Sequence, residues 1–328
     1  MSRQRAVVLG ATGHLGQAVV RELLSRGTVV TAATRQQSPR SLRALAVEIR
    51  PGDSEASGQI DAWIQGQDLV VDCAAPYPLR MFSGGEELVS AACRRTALIL
   101  QAVHRHRARL AYVSSFTTLP RGERGIPALE AQWRRSIHPY FEVKRRIEDM
   151  LLGAANGLDI TVVNPTVCLG PWDGKPRELC FLPQLVAGKV WATCDHTINA
   201  IDVRDLASLL CNAIDARCNG VPIALVGHNL TVKELARRAC ALAGVPVPPL
   251  VAPARLAAWS MVWAETVAAL AGQPPWIFAL SGLLLCDSQP MQPTALQQSL
   301  GCPIRPFQDT LRDTMAWYSK GEAWLPER

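Results

Sequence analysis

Three features of this 328-residue chain predict a doubly wound parallel α/β sheet with a smaller, mostly helical C-terminal lobe. The apolar run Ala6–Leu9 leads straight into three glycines spaced three apart, Gly10, Gly13 and Gly16, and a helical pattern follows. Apolar runs of strand length then alternate with segments of helical period as far as Pro165. After Ala243 the character changes: Pro246, Pro248 and Pro249 interrupt the chain, and an Ala/Leu/Trp-rich helical pattern begins.

Composition narrows the function classes. Hydrophobic residues make up 48% of the chain and charged ones 19%, which is ordinary globular usage. A net charge of +6 is mild over this length. The arginines come in short clusters (Arg94-Arg95, His104 to Arg109, Arg134-Arg135, Lys144 to Arg146), expected as solvated helix faces. No basic stretch is interleaved with aromatics, so nucleic acid is not an expected partner. Ten cysteines lie scattered, with no C-x-x-C pair and no Cys/His cluster at ligand spacing. Reduced thiols are therefore expected, with no metal and no disulfide frame. No uncharged apolar run reaches the length of a membrane span. Met1 to Arg5 pass directly into the first strand, which leaves no signal-peptide pattern and predicts a cytoplasmic protein.

The first strand and turn carry the strongest signal. Gly10 would permit a tight exit from the strand, Gly13 would leave bare backbone for a pyrophosphate, and Gly16 would let helix and strand pack closely. The helix that follows repeats apolar residues at Leu15, Val19, Val20, Leu23 and Leu24 and ends near Gly27. Its N-terminus would offer unpaired N–H groups to phosphate. Gly10, Thr12, Gly13, His14, Leu15 and Gly16 are thus the expected pyrophosphate site of a Rossmann-type fold; the alternative is a purely structural turn.

The second strand, Thr28 to Ala33, ends at Thr34-Arg35. An acidic residue there would bind the ribose 2′-hydroxyl of NAD, whereas an arginine suits the 2′-phosphate of NADP. Arg35 therefore favours NADP(H) over NAD(H), unless it only caps a solvent-facing loop. Leu42 and Leu45 suggest a short helix, and Val47 to Ile49 a third strand. Asp53 beyond it is positioned to accept from an adenine amino group. Ile60, Trp63 and Ile64 mark a helix, and Asp68 to Cys73 the fourth strand. Ala74 and Ala75 then provide small residues where backbone must lie close to a cofactor. A helix from about Glu86 to His104 leads to the fifth strand, Leu110 to Val113, which ends at Ser114-Ser115.

Tyr140 and Lys144 follow at a spacing that puts them on one helix face. A free tyrosine, with pKa about 10, is a poor base at neutral pH. A lysine ammonium one turn away favours the phenolate. Tyr140 could then exchange a proton with a carbinol or carbonyl oxygen while Ser115 hydrogen-bonds the same oxygen.

Gly-Ala-Thr-Gly-His-Leu-Gly, Ser114-Ser115 and Tyr140…Lys144 resemble the extended short-chain dehydrogenase/reductase family, part of the NAD-dependent epimerase/dehydratase superfamily. Val162–Pro165 leading to Leu169–Pro171, Ile201–Ala207, and Leu225–Gly227 followed by Thr231–Leu235 extend the resemblance over nearly the whole chain. The nearest branch is dihydroflavonol-reductase-like and hydroxysteroid-dehydrogenase-like, and it includes proteins described as hopanoid-associated sugar epimerases. The resemblance implies that Ser115, Tyr140 and Lys144 are catalytic, with Lys144 also holding the nicotinamide ribose. It implies further that Asn164, Pro165 and Val167 lie against the nicotinamide. The dinucleotide-binding part would comprise residues 1–165 and 196–228, and the substrate lobe 166–195 and 229–328.

Two positions depart from the family pattern. The asparagine that often completes a catalytic tetrad would fall near Ala91, where Ala91-Ala92-Cys93 offers no amide. The segment Cys194–Ala200 lacks the arginine that anchors a sugar-nucleotide diphosphate. Trp172, Phe181, Trp191, Trp259, Trp263, Trp276 and Phe278 instead suggest an apolar substrate side. The reading is an NADP(H)-dependent oxidoreductase interconverting a secondary alcohol and a ketone on a lipophilic, terpenoid-, steroid- or polyketide-like molecule. An epimerase with retained cofactor and a non-catalytic dinucleotide-binding regulator are the alternatives. The expected partner is a small-molecule substrate, and a homodimer stays open.

Overall fold

A seven-stranded, all-parallel sheet forms the centre of the computed structural model, which describes residues 3–56, 58–74, 85–119, 138–175, 180–273 and 278–319. Its strands are β1 (Arg5–Leu9), β2 (Val29–Thr34), β3 (Glu48–Pro51), β4 (Leu69–Asp72), β5 (Arg109–Val113), β6 (Ile160–Pro165) and β10 (Pro222–Leu225). Their order is β10-β6-β5-β4-β1-β2-β3. The order reverses between β1 and β4, so a crevice opens at their carboxyl ends, where doubly wound sheets bind ligands. Continuous apolar runs such as Ala6–Leu9 and Leu69–Val71 are fully buried because helices cover both faces.

One face packs on α1 (His14–Ser25) and α6 (Val203–Asp215), with Val19, Val20, Leu206 and Leu210 among its buried side chains. The other face packs on α2 (Gln59–Ile64), α3 (Gly85–His106) and α4 (Pro139–Ala154), through Ile60, Trp63, Ile99, Val143 and Ile147. Leu42, expected in a short helix, closes a single 3-10 turn over Arg40–Leu42.

Three further strands, β7 (Val167–Leu169), β9 (Thr197–Asp202) and β11 (His228–Thr231), form a small sheet ordered β11-β9-β7. It packs with α5 (Phe181–Val186), α7 (Val232–Ala243) and the closing helix α11 (Phe307–Ser319). Thr231 caps α7 by accepting from the Glu234 backbone N–H at 3.1 Å, as the Thr-x-x-Glu spacing predicts. The apolar stretch from Leu250 is not one helix. Leu250–Val251 forms β12 beside β8 (Ala192–Thr193), and Pro253 then starts α8 (Ala254–Leu270). α8 pairs with α9 (Ala279–Asp287), and the short α10 (Ala295–Ser299) precedes α11.

The arginine clusters are not all solvated faces. Arg94 is exposed, but Arg95 is buried against Asp72, and Lys144 is buried beneath the end of β5. All ten cysteines are free. Among the described residues no helix is long and apolar enough to cross a membrane.

Candidate active site

Gly10 leaves β1 with φ +75°, a conformation that glycine adopts freely, and a Cβ there would lie 2.9 Å from the Ala74 Cβ. A Cβ on Gly16 would sit 2.1 Å from the Gly10 carbonyl oxygen, so only glycine lets α1 lie this close to the turn. Gly13 occupies the N-cap of α1 with no side-chain cap, and its N–H donates to Gly10 O at 3.0 Å. No acid stands in the first helical turn. The resulting cradle has bare backbone, open amides and the positive end of a helix dipole, which fits a pyrophosphate.

The end of β2 is tied to this turn. Gly10 N–H donates to Ala33 O at 3.3 Å, and Thr12 Oγ1 lies 3.5 Å from Thr34 Oγ1. Arg35, the next residue, is exposed at the mouth of the crevice. Asp53 is also exposed, and its Oδ1 accepts from Glu55 N–H at 3.0 Å, so it shapes the turn after β3. His14 is pinned near Pro171, its Nε2 is buried without a partner, and burial lowers its pKa despite the nearby Asp173 carboxylate. Leu15 packs on the sheet core. Ala74 follows β4 with its N–H on Asp72 Oδ1 at 3.0 Å, while Ala75 lies outside the described residues.

Ser115 ends the β5 segment. His138 caps α4 by accepting from Tyr140 N–H at 3.2 Å, and Pro139 stands at the first helical position. The helix thereby delivers the Tyr140 hydroxyl to Ser115 Oγ at 3.0 Å, both residues being buried. Ser115 Oγ also accepts from Thr117 Oγ1 at 3.0 Å. Lys144, one turn on, donates to Val113 O at 3.0 Å and to the Tyr112 hydroxyl at 3.4 Å. Burial lowers its pKa to about 8, with the Asp72 carboxylate resisting the shift.

Two supports were missed in the sequence. Glu148 is a buried carboxylate one turn beyond Lys144. It accepts from Ser114 Oγ, from Thr118 Oγ1 at 2.7 Å and from Asn164 Nδ2 at 2.7 Å. The repeat Tyr140, Lys144, Glu148 at every fourth position was the available signal. Asn164 Nδ2 also donates to Ser115 O at 3.2 Å, so this asparagine braces the serine turn, while its Oδ1 stays buried without a partner. Pro165 is buried in the sheet and Val167 half-buried at the start of β7. The second support is the bidentate pair of Arg95 with Asp72, at 2.8 and 2.9 Å. Burial opposes the charges, but the facing guanidinium holds the Asp72 carboxyl below its ordinary range. Ala91 stands half-buried on the same helix, one turn before Arg95.

Among the described residues the tryptophans do not gather at the site. Trp172 stacks under the Arg21 guanidinium, 4.3 Å from its centre, on the α1 side. Trp191, Trp259 and Trp263 are exposed, as is Phe181; Phe278 is half-buried, and Trp276 lies outside the described residues. Among the described residues their abundance therefore does not make an aromatic pocket. Tyr140 instead belongs to a buried apolar cluster with Phe141, whose ring lies edge-on at 5.5 Å, and with Val262, Ala279, Leu280 and Leu283.

A model of the NAD-dependent epimerase/dehydratase family matches residues 6–226. Sterol demethylase protein B of Methylococcus capsulatus is 30% identical over 260 residues, covering 76% of this chain and 78% of that protein. A putative dihydroflavonol 4-reductase of Synechocystis is 28% identical over 325 residues, covering 95% and 93%. The crystal structure of a nucleoside-diphosphate-sugar epimerase from Pseudomonas aeruginosa superposes with a TM-score of 0.73 at 22% identity, covering 99% of this chain and all of that one. With the glycine turn, the strand order and the family match in agreement, the chain belongs to the NAD-dependent epimerase/dehydratase family and is an enzyme of its extended short-chain oxidoreductase kind.

Proposed function

We propose that this enzyme interconverts a secondary alcohol and a ketone on a lipophilic small molecule, using NADP(H). The observation that carries the reading is the Tyr140 hydroxyl on Ser115 Oγ at 3.0 Å, set within the apolar cluster of Phe141, Val262, Ala279, Leu280 and Leu283. The glycine cradle would hold the pyrophosphate, and Arg35 the 2′-phosphate. When bound, the nicotinamide exchanges hydride with the reacting carbon.

The protein's own part is proton transfer and orientation. In reduction, Tyr140 gives its phenolic proton to the carbonyl oxygen as that oxygen gains charge; in oxidation it takes the carbinol proton back. Ser115 Oγ already accepts from Thr117 and Tyr140, so its own proton is available to the substrate oxygen. The Lys144 ammonium favours the phenolate and would hold the nicotinamide ribose. Residues 166–195 and 229–328 would shape the substrate side.

Two relatives support a lipophilic substrate through their own names, one a sterol demethylase protein and the other a dihydroflavonol reductase. Of the two cations that could meet a sugar nucleotide, Lys175 and Arg177, Lys175 is engaged by Asp173 at 3.3 Å, and Arg177 lies outside the described residues. The test is consumption of NADPH by the purified protein against a panel of steroid and terpenoid ketones. Tyr140→Phe should keep NADPH affinity and lose roughly 10²–10⁴-fold in turnover. A variant that keeps most of the activity refutes the role of Tyr140. Turnover of UDP-sugars with no net cofactor consumption would replace the reading with an epimerase.

A further inference from the structure

Three residues of α4, Tyr140, Lys144 and Glu148, recur at every fourth position and hold three successive residues at the end of β5. Lys144 Nζ donates to Val113 O at 3.0 Å, Ser114 Oγ donates to a Glu148 carboxyl oxygen, and the Tyr140 hydroxyl donates to Ser115 Oγ at 3.0 Å. Each step of four advances about 6 Å along a helix and turns about 40°, so the row winds from the candidate reaction centre to the underside of the β5 end. Glu148 stands about 12 Å along the axis from Tyr140, and the groups it holds lie behind Ser115.

The Glu148 oxygen that faces Ser114 gathers two more donors, Thr118 Oγ1 at 2.7 Å and Asn164 Nδ2 at 2.7 Å. The same two groups reach the Ser115 carbonyl, Thr118 Oγ1 at 2.8 Å and Asn164 Nδ2 at 3.2 Å. Pairing of β5 with β6 ends at Val113 and Val163, so Ser115 lies beyond the sheet and these side chains help to fix its carbonyl. It opens the 3-10 turn Phe116–Thr118, whose last residue returns to Glu148. Ser114, Ser115, Glu148 and Asn164 are all buried, so bulk water does not replace a lost acceptor, and the donors must swing to find another.

We infer that Glu148 is a positioning residue of the proposed reaction: by holding Ser114, Thr118 and Asn164 on one oxygen, it sets Ser115 Oγ at bonding distance from the Tyr140 hydroxyl. Glu148 and Tyr140 ride on the same helix, so the hydroxyl and its serine partner are both referenced to one rigid element. The task is one of reach. The acceptor must extend from α4 to the β5 end, and its three donors are neutral groups. A side chain of equal length with a neutral acceptor therefore suffices, and a shorter carboxyl does not. The effect on turnover rests on the oxidoreductase reading above, whereas the position of Ser115 is read without activity.

The test sets Glu148→Gln, which keeps the reach, against Glu148→Asp, which keeps the carboxyl but draws it back by one methylene. Crystal structures should retain the bond between Tyr140 and Ser115 in the first variant and open it beyond about 3.5 Å in the second. With ketone and NADPH, Glu148→Asp should lose about ten- to a hundredfold in kcat, with KM and NADPH affinity within about twofold of native. Glu148→Gln should stay within about threefold of native in all three. In a Ser115→Ala background Glu148→Asp should cost less than about twofold more, a coupling that a merely structural role would not produce. Thr118→Val, which withdraws a donor from both Glu148 and Ser115 O, should repeat that coupling at smaller size and serves if Glu148→Asp does not fold. An unchanged bond in Glu148→Asp, equal activity of the Asp and Gln variants, or losses that multiply in the Ser115→Ala background overturns the proposal. If the native protein turns over no ketone, the oxidoreductase reading falls, and the distance between Tyr140 and Ser115 in the variants alone decides the role of Glu148.

Discussion

Replacing Arg95 by methionine probes the charge buried beneath the site. Arg95 and Asp72 are each about 95% buried and meet through two charged bonds of 2.8 and 2.9 Å. Methionine fills much of the stem's volume but leaves Asp72 with the Ala74 N–H as its remaining bond from the described backbone. Breaking a buried pair in this way costs about 3–5 kcal/mol, because a desolvated carboxylate is stranded. Replacing both partners, Asp72→Asn with Arg95→Met, keeps the bond from Ala74 and removes the charge, so most of that loss should return. Urea unfolding at neutral pH, with unchanged slope, measures both. The pH dependence has a definite sign. In the native protein the Asp72 carboxyl is held low, so its contribution is present above the unfolded carboxylate range and is lost as pH falls through the folded pKa. In Arg95→Met the stranded carboxyl is pushed up instead, so the deficit relative to native should shrink on acidification. A loss under about 1 kcal/mol in the single variant, or a double variant no better than the single, would refute a desolvated pair.

Other outcomes follow from the same geometry. Gly16→Ala drives a Cβ to 2.1 Å from a backbone oxygen and should cost about 1–3 kcal/mol or more in thermal melts and weaken dinucleotide binding; Gly153→Ala, in open space on α4, should instead gain about 0.5–1 kcal/mol. Arg35→Asp should cut NADPH affinity roughly ten- to a hundredfold in titrations, since a charge-assisted bond of about 1.5–3 kcal/mol becomes a repulsion; native protein that binds NADH equally well would make Arg35 a surface residue only. Lys144, with its pKa lowered to about 8, is charged below that pH, so kcat/KM should fall as pH rises through it, a limb that Lys144→Met should lack.

Local chemistry wrote the Rossmann half of the molecule into the sequence. Gly10 and Gly16 are needed by the turn itself, and the apolar runs of β1, β4, β5 and β6 can only be buried between two helical layers. The helical spacing of Tyr140 and Lys144 and the capping pair Thr231 and Glu234 are likewise short-range facts. Tertiary structure decided what each polar or aromatic residue faces. Arg95 reads like its neighbour Arg94, yet one helical step turns it into the core, where Asp72 from β4 awaits it. Glu148 and Asn164 lie 16 residues apart, and only the crossing of α4 over β6 joins them beneath Ser115. Trp259 and Trp263 suit a pocket by composition and stand outside it by geometry, because the inward face of α8 is taken up by Ala258, Val262 and Glu265. Periodicity fixes which residues share a face, but the direction of that face depends on packing between segments distant in the chain.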